Sequence, residues 1–158
     1  MAAKEKAKIL LVIAANSLIH RAFHALPPFR TRTGELTNAV YGFLLALFKA
    51  TKEFHPEYIA ATFDAPGPTK RHKAYAGYKA QRAKAPDELY AQMPRVKEML
   101  SALGIPVYEK PGFEADDLIG TIAKQAQRQQ AHPKPEVIIV SGDMDTLQLV
   151  QDHVKVFA

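Results

Sequence analysis

Cysteine is absent from the 158 residues. That removes disulfides, thiolate nucleophiles and Cys-type zinc sites together, so a metal held here would need oxygen or imidazole ligands. No apolar run reaches the roughly 18 residues that a membrane span requires, and the opening MAAKEKAK lacks the apolar stretch of a secretory signal. A soluble, cytoplasmic protein with no membrane partner is therefore expected. No internal repeat, nucleophile elbow or phosphate-cradling glycine loop is present. His20, His24, His55, His72, His132 and His153 are scattered without metal-ligand spacing and read as surface or core residues. The most local absence is of negative charge: no acid occurs between Asp64 and Asp87, where Lys70, Arg71, Lys73, Lys79, Arg82 and Lys84 fall together with His72.

The 47% hydrophobic content suits one domain with one sizeable core. Its expected bounds are residues 9–158, preceded by a disordered basic tail over residues 1–8. A net charge of +5 favours polyanionic partners without requiring them.

Ile9 to Ile13, Tyr58 to Phe63 and Val137 to Val140 are short apolar runs of the kind that form buried parallel strands, with weaker strand patterns at Val107 to Glu109 and Val154 to Phe157. Between them, Val40, Phe43, Leu44, Leu47 and Phe48 recur at helical spacing behind the capping candidates Thr37 and Asn38. Leu89, Met93, Val96, Leu100 and Leu103 mark another helix, ended by Gly104 and Pro106 and interrupted at Pro94. A third spans about Glu114 to Gln130, closed by a turn from His132 to Pro135. Alternating strands and helices predict an α/β fold around a central, mainly parallel sheet. The segment from Ala65 to Pro86, rich in proline and glycine, reads as a long exposed excursion.

In an open parallel sheet, ligands bind beyond the carboxyl ends of the strands. Asp64 follows one apolar run, Asp143 and Asp145 follow another in SGDMD, and Glu114, Asp116 and Asp117 stand in FEADD at a helix start. Such a gathering of like charge is costly unless cations neutralise it. Mg²⁺ or Mn²⁺, in a pair about 4 Å apart, suits carboxylate ligands and the hydrolysis of phosphodiesters. Each group also has a plainer reading: acids cap helices and open turns, and for Glu114, Asp116 and Asp117 taken alone capping is at least as good an account. Agreement among three segments favours a metal site. Charge runs are likewise usually solvated faces, but Tyr75, Tyr78, Lys79 and Arg82 interleave aromatics with cations, which suits phosphate contact and base stacking on a single strand.

The segments NSLIHRAFHALP, TNAVYGF, FDAPGPTKRHKAYAGYKAQR, LGIPV, FEADDLIGTIAK and VSGDMDTLQLV together resemble the amino-terminal half of the 5′-nuclease domain of bacterial DNA polymerase I. The resemblance implies a resolvase-like or PIN-like three-layer α/β fold, and 5′-3′ exonuclease and flap-endonuclease activity on DNA, including RNA-containing strands. It implies metal-ligand or supporting roles for Asp64, Glu114, Asp116, Asp117, Asp143 and Asp145. It places the excursion in an arch around the 5′ strand, with Arg21, Arg71, Tyr78, Lys79 and Arg82 on DNA and Lys79 and Arg82 at the scissile phosphate.

Two departures stand out. Where the family pattern has an acid at the end of the first strand, this chain has Ala14, and loss of one ligand from a two-metal site predicts a rate lower by orders of magnitude. The family also continues into a helical DNA-binding lobe, expected in cis, with or without a polymerase, or from a second chain. A nucleic-acid-binding module without chemistry is the alternative. A phosphoacceptor domain or an aspartyl phosphatase fits less well, since those folds also need an acid at the end of the first strand.

Overall fold

The computed structural model describes residues 6–81, 83–130 and 133–158. The five strands are β1 (Ile9–Ala14), β2 (Tyr58–Thr62), β3 (Val107–Tyr108), β4 (Glu136–Val140) and β5 (Val154–Phe157). They form one sheet in the order β3-β2-β1-β4-β5, every pair parallel. The helices are α1 (Ala15–Ala25), α2 (Asn38–Phe54), the one-turn α3 (Lys70–Ala74), α4 (Asp87–Ala102) and α5 (Ala115–Arg128), with a 3₁₀ segment at Met144–Leu149. The expected mainly parallel α/β architecture is present. No helix among the described residues is long and apolar enough to cross a membrane.

Alternation along β1 explains the layers. Leu11 and Ile13 point to one face and join α1, α2 and α4 through Leu18, Ile19, Phe43, Leu47, Val96 and Leu100. Val12 and Ala14 point to the other, where Ile119, Ala123 and Ala126 of α5 close a smaller core with Val137, Ile139 and Val154. Residues on both faces of β1 and β4 are buried, as a central parallel strand requires. Lys8, the last residue of the expected tail, is anchored: its carbonyl accepts from Glu136 N, at 2.9 Å.

Three expectations give way. Thr37 and Asn38 supply no side-chain cap to α2. The buried Gln92 of α4 does so instead, its Oε1 accepting from Ala39 N at 2.9 Å and Val40 N at 3.3 Å, while its Nε2 donates to Asn38 Oδ1 at 3.1 Å. Asn38 in turn donates to the Phe23 and Leu26 carbonyls at the end of α1. Pro94 does not interrupt α4, which runs unbroken through it because Leu89, Val96 and Leu100 on either side are fully buried. Phe48 and Leu103 fall on solvent faces, at 53% and 49% exposure. His132, the expected start of the closing turn, lies outside the described residues.

Gly42 sets the spacing between α1 and α2. A Cβ built there would lie 2.5 Å from Ala22 Cβ, so only glycine permits this approach. Ala22 lies on the buried side of α1, whereas Ser17, His20, Arg21 and His24 of the same helix line a cavity with Asp64 and Asp143.

Candidate active site

β1 lies between β2 and β4 in the sheet, yet the chain leaves β1 for β2 and returns to β4 on the other side. Crossovers therefore diverge at the carboxyl end of β1, the place where open α/β sheets form a crevice. A cavity of about 1090 Å³ opens there. Asp64, Glu114, Asp116 and Asp143 line it, with Ala14 at the end of the central strand. Asp64 follows β2 and Asp143 follows β4, so sheet order alone sets Ala14 between them.

The local bonds show how each acid is held. Asp64 N donates to Asn16 Oδ1 at 3.0 Å, and Asp64 Oδ1 accepts from Ala115 N at 2.7 Å. The carboxylate that ends β2 therefore also meets the first free amide of α5. The loop carrying Asp143 is pinned by serines: Ser17 Oγ donates to the Ala14 carbonyl at 3.0 Å, lies 3.2 Å from Ser141 Oγ, and accepts from Gly142 N at 3.1 Å. Ser141 Oγ accepts from Asp143 N at 3.0 Å, and Asp143 Oδ1 accepts from Asp145 N at 2.9 Å to cap the 3₁₀ segment. The capping reading is thus realised for Asp143, which also lines the cavity, and for Asp117, whose Oδ2 accepts from Glu114 N at 3.0 Å at the start of α5.

Asp116 shows what the gathering costs. Burial raises its pKa above the ordinary aspartate value, and the neighbouring Asp143, Asp64 and Glu114 push it further in the same direction, with Lys79 opposing them. Glu114 is the most buried of the acids, 8% exposed, and is met from three sides. Lys79 Nζ lies 2.9 Å from its Oε1, while Arg71 Nη1 at 3.2 Å and Tyr78 Oη at 3.1 Å donate to its Oε2. Arg71 also grips Asp117 with two bonds of 2.7 and 2.9 Å. That fork lowers the Asp117 pKa and, against some loss from burial, raises that of Arg71. For Lys79, burial acts downward, but bonds from Glu114 and Tyr78 outweigh it and the pKa rises. Lys79 adopts a left-handed backbone, φ 55°, a conformation costing about 1 kcal/mol or more for a non-glycine residue, here held by its bond to Glu114.

The excursion is exposed, as expected, but it does not stand clear of the domain. It folds onto the acidic helix start, with Lys70 N donating to the Gly112 carbonyl and the Lys70 ammonium 4.2 Å from the Phe113 ring centroid. His72, counted in the sequence with the positive stretch, is instead a local cap: its Nδ1 accepts from Thr69 N and lies 2.7 Å from Thr69 Oγ1.

Of the six acids singled out, four line the cavity. Asp117 is turned into its fork with Arg71, and Asp145 lies exposed beyond the rim. Lys79 and Arg21 line the cavity, Arg71 and Tyr78 reach it through Glu114, and Arg82 lies outside the described residues. Sequence reading missed His20 and His24, which line the cavity from α1. The signal was present in the spacing of Ser17, His20, Arg21 and His24, which puts all four on one helical face.

The donor set tests well for chemistry and less well for completeness. Its side chains offer carboxylate oxygen, the preference of Mg²⁺ and Mn²⁺. Yet among the described residues no three acidic or histidine side chains already converge as a ligand group. Ala14 contributes nothing at the centre, and Glu114 is engaged by cations. A second cavity, about 830 Å³ between α5 and the β2 edge, is lined by Leu10, Tyr58, Tyr108 and Ile122 with no carboxylate, and offers no comparable chemistry.

The parallel sheet thus has a switch-point crevice lined by Asp64, Glu114, Asp116 and Asp143 and bordered by Lys79 and Lys84 of the basic excursion, an arrangement in keeping with a resolvase-like domain. Over residues 9–158 the chain matches the family described as 5′-3′ exonuclease, N-terminal resolvase-like domain, and it belongs to that family. It is 47% identical over 149 residues to the 5′-3′ exonuclease of Aquifex aeolicus, covering 94% of this chain and 50% of that protein. It is 48% identical over 150 residues to the DNA polymerase I of Mycobacterium leprae, covering 94% of this chain and 16% of that one. The chain thus spans half or less of the length of these relatives. Among solved structures, a T5 protein co-crystallised with metal ions has the same fold at 19% identity, TM-score 0.68, over 95% of this chain and 55% of that one. The T5 5′-exonuclease with zinc bound matches at 20% identity, TM-score 0.65, over 95% and 55%.

Proposed function

We propose that this domain is the metal-binding half of a 5′-3′ exonuclease and flap endonuclease acting on DNA with 5′ ends or flaps, RNA-containing strands included, and that Ala14 impairs it. The observation that carries the reading is that Asp64, Glu114, Asp116 and Asp143 line one cavity at the carboxyl end of β1, beside Lys79. Two Mg²⁺ or Mn²⁺ ions would be held there by these four, with Asp117 and Asp145 outside them. Bound there, they would supply a Lewis acid for the phosphodiester and an activated water for its hydrolysis.

The chain's own residues do the rest. Lys79 and Arg82 position the scissile phosphate, and Arg71, Tyr78 and Arg21 hold the strand on either side. The excursion carrying most of these residues acts as the arch. Asn16 and the Ser17–Ser141 pair fix Asp64 and Asp143, so that neither carboxylate needs to reorganise when cation and substrate arrive. Substrate must also compete with Glu114 for Lys79 and Tyr78, since the acid already occupies both. The second half of the relatives' length, in cis or as a separate chain, would supply the grip on duplex DNA.

Incubation of the Ala14→Asp chain with 5′-labelled flap DNA and Mg²⁺, alone and joined to the carboxyl-terminal half of the A. aeolicus relative, tests the reading. Short labelled products that vanish on Asp116→Asn are expected, with the Ala14 chain slower by orders of magnitude. Products indifferent to Asp116→Asn, or none from either form, would remove the proposal. One observation favours a second reading, a strand-binding module without chemistry: the alanine at the central strand end. Tight strand binding with no cleavage after Ala14→Asp would select it.

A further inference from the structure

Residues 70–79 of the excursion have no core of their own. All are exposed except Tyr78, which is partly buried, and the single turn of α3 buries nothing. What fastens them to the domain is polar and falls on one short stretch. Among the described residues, Lys70 meets Gly112 and Phe113, Arg71 meets Glu114 and Asp117, and Tyr78 and Lys79 meet Glu114. A segment with so little buried apolar surface sits at the low end of local stability, so these bonds decide whether it lies down or lifts.

Glu114 carries the far end of this attachment. Its Oε1 takes Lys79 Nζ at 2.9 Å, and its Oε2 takes Tyr78 Oη at 3.1 Å and Arg71 Nη1 at 3.2 Å. The same carboxylate lines the cavity with Asp64, Asp116 and Asp143. Two sets of cations therefore claim one side chain: those of the excursion, and any divalent ion that the cavity admits. The fork between Arg71 and Asp117 stands apart from this rivalry, because Asp117 does not line the cavity. Lys79 also holds a left-handed backbone, φ 55°, which can relax once its side chain is let go.

We propose that the excursion is a latch opened by divalent metal: Glu114 exchanges Lys79 and Tyr78 for the ion, while Arg71 stays on Asp117 as the tether. A divalent charge competes for the carboxylate lone pairs and repels the ammonium beside them. Without metal the basic side chains are withheld from a strand, and with metal they are released beside the ion. The linkage is reciprocal, so an anion that takes Lys79 frees Glu114 and tightens cation binding by the same factor. The latch rests on the nuclease reading and adds an order of events to it, ion first and strand second.

Hydrogen exchange read by mass spectrometry on the intact chain, in EDTA and in excess Mn²⁺, tests the latch without turnover. The amides of Tyr78 and Ala80 are bonded to the Tyr75 and Gly77 carbonyls, and those of Lys73 and Tyr75 to the Thr69 and Arg71 carbonyls. Mn²⁺ is expected to quicken exchange over residues 76–81 about tenfold. Over residues 69–75, tethered through Arg71, the change should stay within about twofold. Glu114→Gln should exchange fast in EDTA and ignore Mn²⁺. Asp143→Asn, which keeps the latch and removes a cavity carboxylate, should stay slow in both. Ala14→Asp should open at lower Mn²⁺. Circular dichroism confirms that each variant folds. Exchange over 76–81 that Mn²⁺ leaves unchanged in both this chain and Ala14→Asp overturns the latch, as does a gain that is equal in Asp143→Asn or spread evenly over 69–75. Flap cleavage by Ala14→Asp with unchanged exchange would keep the nuclease reading and remove the latch. Quickened exchange with no cleavage would keep the latch and count against the nuclease reading.

Discussion

Glu114→Gln separates the structural and substrate-facing roles of the excursion in one variant. The substitution keeps the shape of the side chain and removes the charge that faces Lys79 at 2.9 Å and Arg71 at 3.2 Å. Breaking a buried ion pair from one side costs about 3–5 kcal/mol. Here the cations are not buried: the Arg71 and Lys79 side chains are 44% and 36% exposed, and Arg71 retains Asp117. Water can take up much of the released charge, which brings the expected loss to about 1–2 kcal/mol. In a domain of this size that lowers Tm by about 2–8 °C. The same change frees Lys79 and Tyr78 for an anion, so affinity for a single strand in EDTA should rise by about 5–30-fold, the factor that 1–2 kcal/mol represents. The dependence of log affinity on log salt should steepen by about one. Asp145→Asn is the control, since it removes the same formal charge from an exposed acid with no ion pair among the described residues. Melting curves and anisotropy titrations at two salt concentrations read both effects. Equal behaviour of the two variants would refute the claim that Glu114 holds the basic residues in reserve.

Other outcomes follow from the same geometry. Because the folded-state pKa of Asp116 is raised, the native state holds its proton to higher pH than the unfolded chain does. Stability should therefore fall as pH rises from the ordinary aspartate range through the raised value, and Asp116→Asn should increase Tm at pH 7 but not near pH 3, as thermal melts would show. Asp117 has the opposite sign: its pKa is lowered by Arg71, so its contribution is present at neutral pH and lost as pH drops below the ordinary aspartate value, and Arg71→Gln should remove that dependence. Gln92→Leu strands the Ala39 and Val40 amides and should cost about 2–4 kcal/mol in urea denaturation. Gly42→Ala should destabilise by about 1–3 kcal/mol despite alanine's better helix propensity, since its Cβ meets Ala22.

The strands were legible because a parallel strand buried on both faces must be continuously apolar, and each such run in the sequence became one. Asp64 and Asp143 were legible because the end of a strand is also the edge of the sheet, whichever helices cover it. What escaped was mostly pairing across distance. Nothing in the local pattern around Thr37 announces that its helix is capped by Gln92, 53 residues away from Ala39. Pro94 signals a break by its missing amide, and only the packing of Leu89 and Val96 overrides it. The cations between Lys70 and Lys84 read as part of an exposed excursion, with no partners named, because composition carries no information about partners. The acids that hold Arg71 and Lys79 lie 43 and 35 residues away. His20 and His24 were set aside for lack of metal-ligand spacing, although their helical spacing with Arg21 pointed to a shared face.

The central claim is that the carboxylates around Ala14 form a divalent-cation site lacking its middle ligand. Isothermal titration of Mn²⁺ into the chain and into Ala14→Asp tests it without requiring catalysis or any further part of the protein. Binding tighter by about tenfold or more in Ala14→Asp, abolished by adding Asp116→Asn, is the predicted result. Equal Mn²⁺ affinity in the two chains, or a gain that survives Asp116→Asn, would contradict it.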